Sequence, residues 1–99
     1  MTTKERNLIQ GFINKLSEIE ETMQETLENL QQLNVEHGDG HKWCSWKGCL
    51  DGVIENNEQG SIWRGRAEHQ YERYLKAVGQ REAIEELGSG LAELNFWKH

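Results

Sequence analysis

The sequence predicts an all-α fold, a long N-terminal amphipathic helix with a helical C-terminal arm folded back on it in coiled-coil-like packing. Three observations carry that reading. Proline is absent from the chain, so nothing fixes φ or removes a backbone donor inside a helix. Apolar residues recur at alternating threes and fours over the first third of the sequence, which is the spacing of one helix face. After a break at residues 36–42 the same spacing resumes twice, from Trp43 and from Ile62.

The first helix is expected at about residues 3–34. Thr2 and Glu5 have the spacing of a capping box, in which each side chain satisfies a backbone N–H that the first turn leaves open. Written as heptads, Ile9, Leu16, Met23 and Leu30 take position a, and Phe12, Ile19, Thr26 and Leu33 take d, with Ile13 and Leu27 widening the stripe at e. Such a stripe packs lengthwise on a partner, and Ile9, Phe12, Leu16, Ile19, Met23, Leu30 and Leu33 are the expected oligomer seam. The segment Glu36-His37-Gly38-Asp39-Gly40-His41-Lys42 reads as a turn or a small site. It opens a Gly/His/Cys/Trp-rich connector over about 36–60, within which Trp43, Trp46, Leu50, Val53 and Ile54 support a second helix at about 42–56. Gly48 and Gly52 weigh against that helix. C-terminal helices are expected over about 61–97. Ser61 is the N-cap, Trp63, Ala67, Tyr71, Tyr74 and Val78 form one face, and Gly79 is read as a kink or a close helix contact. Gly88-Ser89-Gly90 is read as the end of that helix, before a short amphipathic tail. The whole chain reads as one domain.

The 99 residues hold 10 Leu, 6 Ile, 3 Val and 2 Phe, close to the ~20% of large apolar residues below which chains often fail to fold alone. Four Trp and two Tyr add apolar area, but a monomeric core is thin, and association between chains is the usual remedy. A dimer is therefore expected. The formal charge of −6 argues against direct binding to nucleic acid or an anionic membrane. No apolar run approaches the ~20 residues that span a bilayer, and the N-terminal stretch lacks the apolar core of a secretory signal. Two cysteines do not make a disulfide framework, so a cytoplasmic protein with free thiols is expected.

Three constellations are candidates for function. His37, His41, Cys44 and Cys49 fall within 13 residues around a glycine turn. Tetrahedral zinc takes four such N and S ligands, and a structural zinc would support a thin core. The competing reading is two buried thiols and two solvated histidines, because free Cys is among the most buried residue types. The second constellation is an acidic ridge. From Leu16 to His41 there are seven acids and no Lys or Arg. Glu18, Glu21, Glu25 and Glu28 stand at c and f, where they can dock on a basic protein surface or simply keep the helix solvated. The third is Trp63, Arg64, Arg66, Tyr71 and Arg73, in which Arg and aromatic rings could hold a small ligand or nucleotide. The competing reading there is core packing plus ion pairs to the first helix. Gly-rich phosphate loops, nucleophile elbows and zinc-protease motifs are missing, so no catalytic activity is expected. The sequence thus reads as a homo-oligomeric interaction module, an inhibitor or adaptor of the kind that small acidic phage or mobile-element proteins provide. Ligand binding on the aromatic/Arg face and a structural assembly component are the alternatives.

Overall fold

The computed structural model describes residues 2–41 and 45–91, with side chains to residue 87. Three helices form in order, α1 Thr3–His37, α2 Trp46–Asn56 and α3 Ile62–Leu91. They pack on one another without a strand among the described residues. The fold is all-α, and α3 folds back along α1.

α1 starts where the capping box places it. Glu5 N donates to Thr2 Oγ1 and Thr2 N donates to Glu5 Oε2, both at 3.2 Å. It runs one turn beyond the expected end, because Val35, Glu36 and His37 continue the helix until Gly38 stops it. α2 begins later than expected, at Trp46. Ser45 is its cap and accepts from Gly48 N at 3.1 Å; residues 42–44 lie outside the described residues. α3 opens at Ser61, whose carbonyl accepts from Gly65 N at 3.1 Å. It continues through Gly79, where a side chain would meet nothing within 4 Å, so no close helix contact requires that glycine. It also continues through Gly88-Ser89-Gly90, which were expected to end it. A helical glycine costs about 1 kcal/mol but does not break the hydrogen-bond ladder. The expected tail falls on residues 92–99, outside the described residues.

Polar side chains fix the topology. Asn57 Nδ2 donates to His37 O at 2.6 Å and to Val53 O at 2.7 Å. It thereby satisfies terminal carbonyls of two helices and sets the C-terminal ends of α1 and α2 side by side. Trp46 Nε1, at the start of α2, donates to Met23 O and to Thr26 Oγ1 at 3.2 and 3.1 Å. α2 therefore runs parallel to α1 over its C-terminal half. The turn to α3 closes with Ser61 N donating to Glu58 O at 3.0 Å, with Gly60 at φ +86°, the positive φ that a type II turn requires at its third residue. α3 returns antiparallel. Gln70 accepts from Asn29 Nδ2 at 3.2 Å, Arg73 reaches Glu25 at 3.4 Å, and Arg81 reaches Glu20 at 3.9 Å.

The core sits where all three helices meet. Leu30, Cys49, Leu50, Val53 and Ala67 are buried, with Leu33, Trp46, Ile54, Trp63 and Tyr71 packed around them. Thr26, the polar d position, is fully buried and satisfied: its hydroxyl donates to Met23 O at 2.7 Å and accepts the Trp46 indole N–H. Asn34 is also fully buried. Its Oδ1 accepts from Asp39 N at 2.9 Å, its Nδ2 donates to His41 O at 3.1 Å, and its carbonyl accepts from Gly38 N and Gly40 N. The residue holds the connector in the reversal that brings α2 back along α1. Gly52 of α2 packs directly against it. A Cβ there would stand 2.4 Å from Asn34 Oδ1 and 3.0 Å from the Asp39 carboxyl.

The molecule is a rod of 58 × 20 × 16 Å with a radius of gyration of 18.3 Å, against ~13 Å for a compact chain of this length. α1 alone is about 52 Å long at 1.5 Å per residue, α3 about 45 Å and α2 only about 16 Å. One end of the rod is therefore three helices thick and the other two.

The Asn34–Gly52 contact can be measured. Gly52→Ala should destabilise by about 1–3 kcal/mol through the clash, despite alanine's better helix propensity. Asn34→Ala should cost about 1–3 kcal/mol by leaving Asp39 N–H and His41 C=O without their partner. Because the first clash is with the Asn34 side chain, the double variant should be more stable than the sum by over ~1 kcal/mol. Urea unfolding of all four proteins checks this, and additive losses would remove Asn34 as the cause.

Candidate functional site

Two of the four expected zinc ligands have environments at odds with metal binding. Cys49 lies in the first turn of α2, is fully buried and is disulfide-bonded; the only other cysteine in the sequence is Cys44, which lies outside the described residues. The expectation of free thiols is thus corrected. A five-residue spacing across the cap of a short helix allows a bond that compartment reasoning disfavoured, and a disulfide sulfur is not the thiolate that zinc requires. The His37 ring stacks on Trp63, with centroids 3.5 Å apart and planes 12° apart. His41 contributes its backbone, the N–H to Asp39 Oδ1 at 3.0 Å and the carbonyl to Asn34. Among the described residues no group of three His, Cys, Asp or Glu side chains is placed to hold a metal ion.

The five residues of the aromatic/Arg cluster sit on α3 but do not converge on one space. Trp63 carries the His37 stack and the Arg66 guanidinium 4.9 Å above its ring, a cation–π arrangement. Tyr71 packs against the core and tilts against Tyr74, which in turn stacks on Trp46 at 4.3 Å. Arg64 Nη1 donates to Asn57 O at 3.4 Å, and Arg73 is held by Gln70 at 3.0 Å and by Glu25. An open groove of about 790 Å³ does lie between α1 and the start of α3, but of the five only Arg66 lines it, together with Asn29, Gln32, Ser61, His69 and Gln70. These polar groove residues were not singled out from the sequence, because they come from two helices and share no spacing.

The acidic ridge lies along the outer side of α1. Glu18 and Glu25 keep 69% and 56% of their side-chain surface exposed, and Glu21 and Glu28 are exposed as well. Lys15 of the same helix stands 3.8 Å from Glu18. Among the described residues, Arg73 is the one α3 cation that reaches the ridge, at Glu25. Exposed pairs of this kind contribute little to stability, and all four carboxylates face solvent.

Four of the seven expected seam residues are already covered within the chain. Ile19 and Leu30 are buried, Leu33 packs on the core, and Met23 is half-buried beside Trp46. At the two-helix end, Ile9, Phe12 and Leu16 are half-buried and Ile13 is 51% exposed. Ile84 of α3 closes on this end from one side only, across a cleft shared with Leu8, Phe12 and Lys15. No helix among the described residues is long and apolar enough to cross a membrane.

Comparison with family models, curated proteins and solved structures gives no match to this chain.

Two measurements follow from this geometry. Thiol titration of the native protein should find no reactive sulfhydryl, and unfolding with reductant should release two; a disulfide persists best in an oxidising compartment, so the result also tests the cytoplasmic expectation. The Asp39 carboxyl is held below its ordinary value, chiefly by the His41 N–H it accepts. Its contribution is present above the usual carboxylate range and is lost as pH falls through the lowered value. Protection of the His41 amide should therefore persist at pH 5 and drop only below about pH 4, as hydrogen exchange can show.

Proposed function

We propose that this chain is a homo-oligomeric protein-interaction module, an adaptor or inhibitor that presents the α1 ridge to a basic protein surface. The observation that supports this reading is the exposed column of Glu18, Glu21, Glu25 and Glu28, which lies away from the a and d positions packed inside. On a helix these residues follow one another at three and four, about 5 Å apart. A basic surface approaching that face meets four like charges whose fields add before contact, which favours fast, salt-sensitive association. Self-association is supported separately by the thin end of the rod, where seam residues lack a third layer.

Glu21 and Glu28 are the positions at which to test the ridge, since neither is ion-paired among the described residues. Reversing both to Lys should abolish stoichiometric capture of a basic partner while leaving helical circular dichroism unchanged. Capture by the native protein should weaken steeply between low salt and about 0.5 M, where the Debye length falls to roughly 4 Å. Equal capture by both proteins at low and high salt would assign the ridge to solvation.

A further inference from the structure

We infer that two copies of this chain pair through the two-helix end, antiparallel and dyad-related, with Ile13 on the two-fold axis and Arg6 of each copy beside Glu20 of the other. This deepens the self-association in the reading above by fixing the partner and its register.

The heptad positions next to the apolar seam are e and g. Along α1 the g edge belongs to α3. Asn29 bonds to Gln70, and Leu8 and Lys15 face Ile84 across an open cleft, with Leu8 itself 50% exposed. The e edge runs Arg6, Ile13, Glu20, Leu27, Asn34. Its far end belongs to α2, since Gly52 packs against the fully buried Asn34. Its near end is uncovered, and Ile13 there is half exposed between half-buried Ile9, Phe12 and Leu16. Leu8 on the g edge is as exposed, but only the near e edge carries a cation and an anion at equal distances from an apolar residue, and that is the edge that suits a second copy. Two identical edges meet in an isologous, dyad-related contact. An antiparallel pair sets e positions against e positions, whereas parallel neighbours packed through a and d oppose e with g.

α2 decides the same orientation by bulk. With parallel copies both α2 helices would stand at one level on the facing sides, each in the space the other copy needs. With antiparallel copies they lie at opposite ends of the pair.

The register then follows from two independent features. Trp46 of α2 reaches α1 at Met23, so the stretch of α1 that α2 leaves bare is about residues 3–22 and its midpoint falls at Phe12–Ile13. Full overlap of two such stretches places the dyad there. The charges choose the same centre. Arg6 and Glu20 each lie seven residues from Ile13, on the same edge, so a dyad at Ile13 sets each Arg6 against the partner's Glu20. Arg6 has no ion pair among the described residues, and Glu20 is contacted only loosely, by Arg81 at 3.9 Å with 61% of its own side chain exposed. The overlapping faces are about 30 Å long and the rod is 16–20 Å wide, or roughly 1,000 Å² in total over both copies. That is the lower end of a stable interface, consistent with a micromolar dimer.

Sedimentation equilibrium of the full chain from about 1 to about 200 µM should show a reversible dimer. Arg6→Glu and Glu20→Arg should each weaken it about tenfold, and the doubly swapped chain should return to within about threefold of the original, since both cross-dyad pairs reform with reversed sign. Ile13→Cys should oxidise readily to a covalent dimer. Gln24→Cys should not, because the two copies of that position stand about 33 Å apart across the dyad. All four positions are exposed, and circular dichroism confirms folding of each variant. A monomer at every concentration overturns the inference and the self-association it rests on, but leaves ridge capture to its own test. A dimer that the double swap does not rescue, or that Gln24→Cys cross-links as well as Ile13→Cys, overturns this register and leaves self-association standing.

Discussion

One buried carboxamide governs the path of the chain. Asn34 has neither charge nor length to reach solvent, so its donor and acceptor must be matched inside. They are matched by the backbone of the four residues that follow α1, with the acceptor on Asp39 N and the donor on His41 O. An apolar residue at the same helical position would pack equally well against α2 but would leave the connector undirected. With Asn34 in place, Gly38, Asp39, Gly40 and His41 fold over the end of the helix, and α2 starts back at the level of Met23. The close approach that results is why α2 carries glycine at position 52, in a place where helix propensity alone disfavours it.

The shape of the molecule follows from that reversal. Because α2 starts at the level of Met23 and ends beside His37, where Asn57 ties both helix ends, it spans 11 residues. A third layer therefore covers the C-terminal half of α1, while α3, at 30 residues, continues alone beside the other half. The core follows the same division. Fully buried side chains gather where three helices meet, and toward the thin end, beyond the buried Ile19, the seam residues Leu16, Phe12 and Ile9 are only half-buried. A layer of two helices cannot enclose its own apolar stripe, so the unevenness of burial is a consequence of where Asn34 turns the chain.

Much of this was readable from residue order and part of it was not. The heptad stripe, the Thr2/Glu5 box and the lack of proline specify a long first helix and an all-α fold, because they act locally along one helix. The polar position Thr26 stood out as an irregularity, but its use as acceptor for the Trp46 indole joins residues 20 apart, and no local pattern announces such a pair. Asn34 was missed altogether, since an Asn after the last apolar seam residue reads as an ordinary helix end. Gly52 was read as a weakness of α2, although its packing against Asn34 makes the small residue a requirement. For the candidate sites, spacing overstated what sharing a segment implies. His37 and Cys49 belong to one short stretch, yet the first is turned to stack on Trp63 and the second is buried in a disulfide. The five residues of the aromatic/Arg cluster are near in sequence but are distributed around α3, so that apart from the Arg66–Trp63 contact each finds a different partner.

The layout of charge gives the two faces of α1 different work. The c and f positions collect Glu18, Glu21, Glu25 and Glu28 without an intervening cation, so that side repels any copy of itself and is suited to a surface of opposite sign. The e edge is built otherwise, with one cation and one anion disposed evenly about an apolar centre. A net charge of −6 per chain opposes self-association in general, and only a surface with local balance can overcome it. The e edge has that balance and the ridge does not. In the proposed arrangement an acidic chain pairs through one side of a helix while the adjoining side stays exposed to a different, basic partner, so the two proposed contacts do not compete for the same residues.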